Sequence, residues 1–133
     1  LKRNIEIREK NFNLQNDFFS KYDQIFSIPK QAKNIKTGWL AYPILINKEA
    51  NFKRKDFQIF LEKRDIQTRV VFTGNIIRQP MMKNIKYKTN KDGYPNSDAV
   101  MERGVLLPLH HGMTDEMFNR LHQTIEEFIQ KHV

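Results

Sequence analysis

An apolar ring or isoleucine returns every seven residues through the opening of this chain, at Ile5, Phe12, Phe19 and Phe26. Leu1, Leu14, Phe18, Tyr22 and Ile25 fill in at steps of three and four. This periodicity predicts one amphipathic helix over residues 1–27, ended by Ser27-Ile28-Pro29, because the residue before a proline is pushed out of the helical region. A helix with one such stripe needs an apolar layer to cover it. The remaining residues must therefore build that layer. The stripe is already running at Leu1, with no Met and no lead-in. The expectation is a helix that leaves a domain junction, the end of something longer.

Downstream, short apolar runs alternate with helical patterns. Trp39–Ile46 has the profile of a strand buried on both faces. Pro43 within it has no N–H to donate and predicts an edge position or a bulge. Phe52–Lys63 reads as a short helix that buries Phe57, Phe60 and Leu61. Val70, Val71 and Phe72 form a β-branched and aromatic run too short for a helix, expected as a buried strand ending at the turn Thr73-Gly74-Asn75. Residues 81–90 are polar and basic, and 91–96 are dense in turn formers. Ser97 is expected to cap a short helix through Ala99, Val100 and Met101. Val105–Leu109 reads as another buried strand. Thr114 is a natural N-cap for a last helix with Met117, Leu121, Ile125, Phe128 and Ile129 on one face. The fold class is α+β: one long helix, then a small three- to four-stranded, mainly antiparallel sheet over residues 38–133, covered by helices.

At 133 residues, 39% of them hydrophobic, the chain has the size of one domain with a real core, too small for a large enzyme cleft. It has no cysteine, which removes disulfides and thiolate metal sites and fits a reducing cytoplasm. No apolar run approaches the roughly 20 residues that cross a bilayer, and no signal-peptide pattern is present, so no membrane partner is expected. The net charge of +8 comes from 23 basic and 15 acidic residues interleaved along the chain. That spread argues against the clustered basic face of a nucleic-acid binder.

The candidate site residues gather at strand ends. Arg69 lies in an apolar run, where a lone charge calls for an anionic partner, either a structural carboxylate or a ligand. Asn75 serves the turn first and a polar contact second, and Gln79 closes the same segment. Trp39 is simplest as core. His110 and His111 are adjacent, so on a strand they point to opposite sides and cannot both ligate one metal; no metal site is expected. No phosphate-cradling glycine loop, nucleophile elbow or paired carboxylates are present, and no catalytic residue is expected in this chain.

The segment Thr68-Arg69-Val70-Val71-Phe72-Thr73-Gly74-Asn75-Ile76-Ile77-Arg78-Gln79-Pro80 resembles the C-terminal domain motif of the pyridoxal-phosphate-dependent sugar aminotransferase family of the DegT/DnrJ/EryC type. Supporting pieces follow in order: Arg8–Phe12, Gly38–Ile44, Asp98–Met101 and Leu107–Thr114. The aminotransferase branch usually carries His two residues before Gln79, where this chain has Ile77. This favours the branch of nucleoside-diphosphate-4-keto-6-deoxyhexose 3-dehydrases of lipopolysaccharide biosynthesis.

The resemblance implies the small C-terminal domain of a fold-type I enzyme. A large domain preceding Leu1, absent here, would hold pyridoxal phosphate (or pyridoxamine phosphate). It would also hold the aspartate at its ring nitrogen and either the cofactor-bonded lysine of the aminotransferases or the histidine that replaces it in 3-dehydrases. The small domain would wall the pocket of a nucleotide-diphosphate sugar with Arg69, Asn75 and Gln79, and less directly with Trp39, His110 and His111. It would bind no cofactor and turn nothing over alone, and the parent would be a cytoplasmic homodimer. Two rival readings remain: a free-standing basic module for a polyanion, and a structural dimerisation domain.

Overall fold

α1 spans Lys2–Phe19 in the computed structural model, which describes residues 1–133. It is shorter than the heptad pattern predicts. After Phe19 the chain tightens into a 3-10 turn over Ser20–Tyr22 and then becomes strand β1, Phe26–Ser27. The cause is competition for backbone partners. Asn47 donates its backbone N–H to the Ile25 carbonyl (2.8 Å) and its side-chain amide to that of Asp23 (2.8 Å), and it accepts from the Ser27 hydroxyl (2.7 Å). These bonds pull the chain onto the sheet, so Phe26 continues the seven-residue spacing from a strand.

The other elements are β2 (Tyr42–Ile46), α2 (Arg54–Glu62), β3 (Arg69–Val70), 3-10 turns at Ile76–Arg78 and Pro80–Asn84, α3 (Pro95–Arg103), β4 (Gly104–Leu107) and α4 (Asp115–His132). The sheet is antiparallel throughout, in the order β1-β2-β4-β3. β2 and β4 pair without a bulge, from Tyr42 opposite Leu107 to Leu45 opposite Gly104. β2 is interior by order, yet β1 covers only Leu45 and Ile46. Pro43 thus sits beside a locally open edge, where a missing N–H costs nothing.

Tyr42, Ile44 and Ile46 are buried and Pro43 and Leu45 only half-buried, so the run is closed on one face rather than both. α1, α2 and α4 supply the cover. An aromatic relay joins them: Phe19 packs edge-on against Phe26 (5.3 Å), Phe26 meets Phe57 (5.5 Å), and Phe57 meets Phe128 edge-on (5.1 Å). Leu61, Val105, Leu107, Leu121 and Ile125 fill the space around it. α4 buries Phe118, Leu121, Ile125 and Phe128, whereas Met117 is half exposed. Its cap is as expected, with the Thr114 hydroxyl accepting the Met117 N–H (3.2 Å). α3 starts at Pro95, not at a Ser97 cap, because proline is pre-organised for the first helical position. α3 runs straight into Gly104, where a Cβ would stand 2.6 Å from the Val100 carbonyl oxygen.

Polar groups stitch α1 to the chain leaving β4. The Asn11 side-chain amide donates to the carbonyls of Leu109 and His110, and Gln15 donates to Pro108 (3.4 Å). Gln15 in turn accepts from His122 Nε2 (2.8 Å), whose ring stacks on Phe18 at 3.9 Å.

Phe57→Ala should lower stability by about 3–5 kcal/mol, because it empties the relay at a fully buried position. Ile59→Ala, on the exposed side of the same helix, should cost under about 1 kcal/mol; urea unfolding measures both. His122 gives a pH dependence. Burial, with the Lys21 charge as second cause, lowers its pKa from 6.5 to about 4. Between those values the unfolded chain holds more protons, so stability falls as pH falls through that window, by up to about 3 kcal/mol. Urea midpoints from pH 7 to 4 should drop, and His122→Gln should flatten the drop.

Candidate functional site

Two neighbourhoods collect the candidate residues. The first is an open cavity of about 510 Å³ at the end of β4. Leu40 and Ala41 form one wall, and Ile66, Gln67 and Arg69 another. Leu107–His110 runs along the top, and Met113, Met117, Arg120 and Leu121 close it from α4 and the turn before it.

The position of Arg69 departs from the sequence expectation. β3 is two residues long and both are exposed, with Val70 at 45%. Thr68 is the last buried residue before it, fastened to α2 by Glu62 Oε1, which accepts from the Thr68 backbone N–H (2.6 Å) and hydroxyl (3.0 Å). Beyond that anchor the chain forms the sheet's outer edge, where nothing covers it, so Val70 and Phe72 are solvent-facing rather than buried. Arg69 has neither an ion-pair nor a hydrogen-bond partner. Its guanidinium is free at the cavity rim.

His110 joins Arg69 in this lining, with its Nδ1 accepting the Gly112 N–H (3.2 Å) and its carbonyl holding the Met113 N–H (3.1 Å). His111 is exposed in the same turn and outside the lining. Arg120 is a rim cation that sequence reading missed. Its Nη2 donates to the Arg64 carbonyl (2.7 Å) and lies 3.8 Å from the Asp65 carboxylate. The one signal that could have found it is its place on α4 beside buried Leu121, at the border between the helix's apolar and polar sides.

The second neighbourhood is the turn that follows β3. Asn75, only 3% exposed, caps the 3-10 turn Ile76–Arg78 by accepting the Ile77 N–H, and it donates to Asp98 Oδ1 (2.7 Å). Arg78 grips the same carboxylate through Nε (3.0 Å) and Nη2 (2.9 Å). These bonds hold the Asp98 carboxyl down at about 2. Gln79 Nε2 donates to the Thr73 carbonyl (3.3 Å). Asn75 and Gln79 thus shape the turn, and neither lines the cavity that holds Arg69 and His110. Trp39 lies elsewhere, stacked on Phe12 at 4.2 Å with its indole N–H donating to Gln31.

The cavity offers a free guanidinium and an imidazole to an anion above an apolar floor. Its lining has no lysine, and its one carboxylate, Asp65, faces Arg120. These residues therefore do not form the lysine-and-aspartate anchor of pyridoxal phosphate, and no three His, Asp or Glu side chains come together as metal ligands. No helix is long and apolar enough to cross a membrane.

Gly74 and Gly93 separate two reasons for glycine. Both have positive φ, +66° and +68°, but a Cβ on Gly74 would lie 2.2 Å from Met101 Cβ, whereas Gly93 faces open space. Gly93→Ala should cost about 1 kcal/mol from backbone strain alone. Gly74→Ala should cost at least about 2 kcal/mol more, from overpacking against α3, measured by urea unfolding.

The comparisons agree with this architecture. The chain is 34% identical over 104 residues to a dTDP-4-dehydro-2,6-dideoxy-D-glucose 3-dehydratase of Saccharopolyspora spinosa, covering 78% of this chain and 22% of that protein. It is 27% identical over 124 residues to the lipopolysaccharide biosynthesis protein RfbH of Salmonella typhimurium, covering 93% and 28%. The chain thus spans about a quarter of the length of these curated relatives. Among solved structures, an E. coli GDP-4-keto-6-deoxy-D-mannose-3-dehydratase with bound hydrated PLP superposes with a TM-score of 0.81 at 19% identity, covering 92% of this chain and 31% of that one. A Brucella abortus aminotransferase of the DegT type gives 0.77 at 18%, covering 94% and 31%. These two establish the fold, a small domain of fold-type I pyridoxal-phosphate enzymes. The sequence profile of the DegT/DnrJ/EryC1/StrS aminotransferase family runs along residues 1–126, and the chain belongs to that family.

Proposed function

We propose that this chain is the C-terminal small domain of a pyridoxal-phosphate enzyme that removes the 3-hydroxyl of a nucleotide-linked 4-keto-deoxy sugar on the way to surface polysaccharide. The observation that carries the reading is the match along 104 residues to a protein named as a sugar 3-dehydratase. Ile77, in place of the histidine usual in the aminotransferase branch, supports dehydration over transamination. The free guanidinium of Arg69 at the cavity rim supports an anionic substrate. The cofactor, held by a large domain, would take up the electron pair freed by proton removal and return it to expel the C3 hydroxyl as water.

The chain's own residues bind and shape. Arg69 meets the anionic side of the substrate or cofactor, with His110 beside it. Asn75 and Gln79 keep the turn after β3 in form, and Trp39 and His111 act at the margins. The parent works as a cytoplasmic homodimer, and the surplus of basic residues draws in the diphosphate.

The test is to express the complete reading frame with pyridoxal phosphate and supply nucleoside-diphosphate-4-keto-6-deoxyhexoses together with L-glutamate as amino donor, or pyridoxamine phosphate in its place. Loss of water at C3 is expected, and Arg69→Ala should lower kcat/KM by about 10- to 100-fold, the loss of one charge-assisted contact. Amino transfer to the sugar would move the chain to the other branch. Turnover of no such sugar would overturn the proposal.

A further inference from the structure

Ten phenylalanines occur in this chain. Eight are buried and Phe60 is half-buried; Phe72 alone is open to solvent, at 87% exposure. Its backbone is also in the left-handed region, at φ +47°. A bulky side chain there is an outlier that persists only where its surroundings impose it.

The surroundings do so from both sides. The Phe72 N–H donates to the Val70 carbonyl (3.0 Å) and the Gly74 N–H to that of Val71 (3.1 Å). Gly74 seats the turn directly on Met101, Gln79 holds the Thr73 carbonyl, and buried Asn75 is locked to Asp98. The turn is a fixed mount that aims one aromatic ring outward.

The charges that flank this ring in sequence narrow what it meets. Arg69, three residues earlier on exposed β3, has no partner. Lys83, Lys86, Lys88 and Lys91 follow, exposed and outside every ion pair. Asp98, the carboxylate this turn contacts, is taken by Arg78 and Asn75. A purely apolar partner would cover the ring but strip water from Arg69 without supplying an anion, which is costly. A ligand that joins a flat ring to phosphates satisfies both groups. Three residues span at most about 10 Å of chain, a reach that one pentose and its phosphates can bridge.

We infer that Phe72 is the stacking platform for the base of a nucleoside diphosphate whose phosphates meet Arg69. This rests on the reading that the chain serves a nucleotide-linked sugar, and it adds which part of that substrate the chain recognises.

The complete protein, as encoded by its full reading frame, is titrated with dTDP, GDP and inorganic pyrophosphate by calorimetry. Both nucleotides should bind tighter than pyrophosphate. Phe72→Leu should weaken nucleotide binding by about 5- to 100-fold and leave pyrophosphate unchanged; Phe72→Tyr should bind like the parent. Arg69→Gln should weaken all three. Phe72→Asn, a residue at ease with positive φ, should lose nucleotide affinity with no loss of thermal stability, which separates stacking from a structural role. If nucleotides bind and Arg69→Gln weakens them while Phe72→Leu does not, the platform is wrong and the sugar-nucleotide reading survives. If none of the three binds, that reading fails together with this inference.

Discussion

The pairing of β2 with β4 is the contact on which the rest of this structure depends. It joins residues about sixty positions apart, from Tyr42–Leu107 to Leu45–Gly104, and no local preference can produce it. Three consequences follow from it. The alternate residues Tyr42, Ile44 and Ile46 gain a common buried face. α1, α2 and α4 gain a surface on which their stripes can close. β4 also gains the position from which Leu107–His110 can frame a cavity. Gly104 admits this pairing by letting α3 end against the sheet with no intervening side chain.

Burial and polar satisfaction divide the labour. Aromatic rings carry the apolar contact between layers. Amide side chains on the inward side of α1 take up the carbonyls that β4 leaves unpaired as it exits the sheet. Buried Gln15 therefore does not weaken the core. It meets a carbonyl with one end and His122 with the other, so these side chains leave no unsatisfied group in the seam between α1 and α4.

Much of this was legible in the residue order, and the exceptions share a cause. The cap at Thr114, the buried side of α2 and the turn at Gly74-Asn75 depend on neighbours within a few positions, and sequence displays those. The end of α1 depends on Asn47, and the role of Asn75 depends on Asp98, partners more than twenty residues away. Such pairings leave no local trace. Val70 and Phe72 misled for a related reason. A short β-branched and aromatic run implies burial only if the next layer extends over it, and here the sheet stops at that strand. The apolar neighbours of Arg69 predict a buried charge, but it stands at an open edge, so the residue that would need a buried partner is free for a ligand. The resemblance to the aminotransferase family identified the fold, but not which candidates share a cavity.

The two outer strands, β1 and β3, are each only two residues long. An open sheet edge is ordinarily a template on which a second polypeptide can add a strand, and with it a route to aggregation. Here β1 and β3 are each too short to align an incoming chain, β2 is open on its β1 side only over Tyr42–Ile44, where Pro43 has no N–H to offer, and beyond β3 the backbone turns sharply away through Phe72. The sheet thus ends in short stubs rather than in a long free strand.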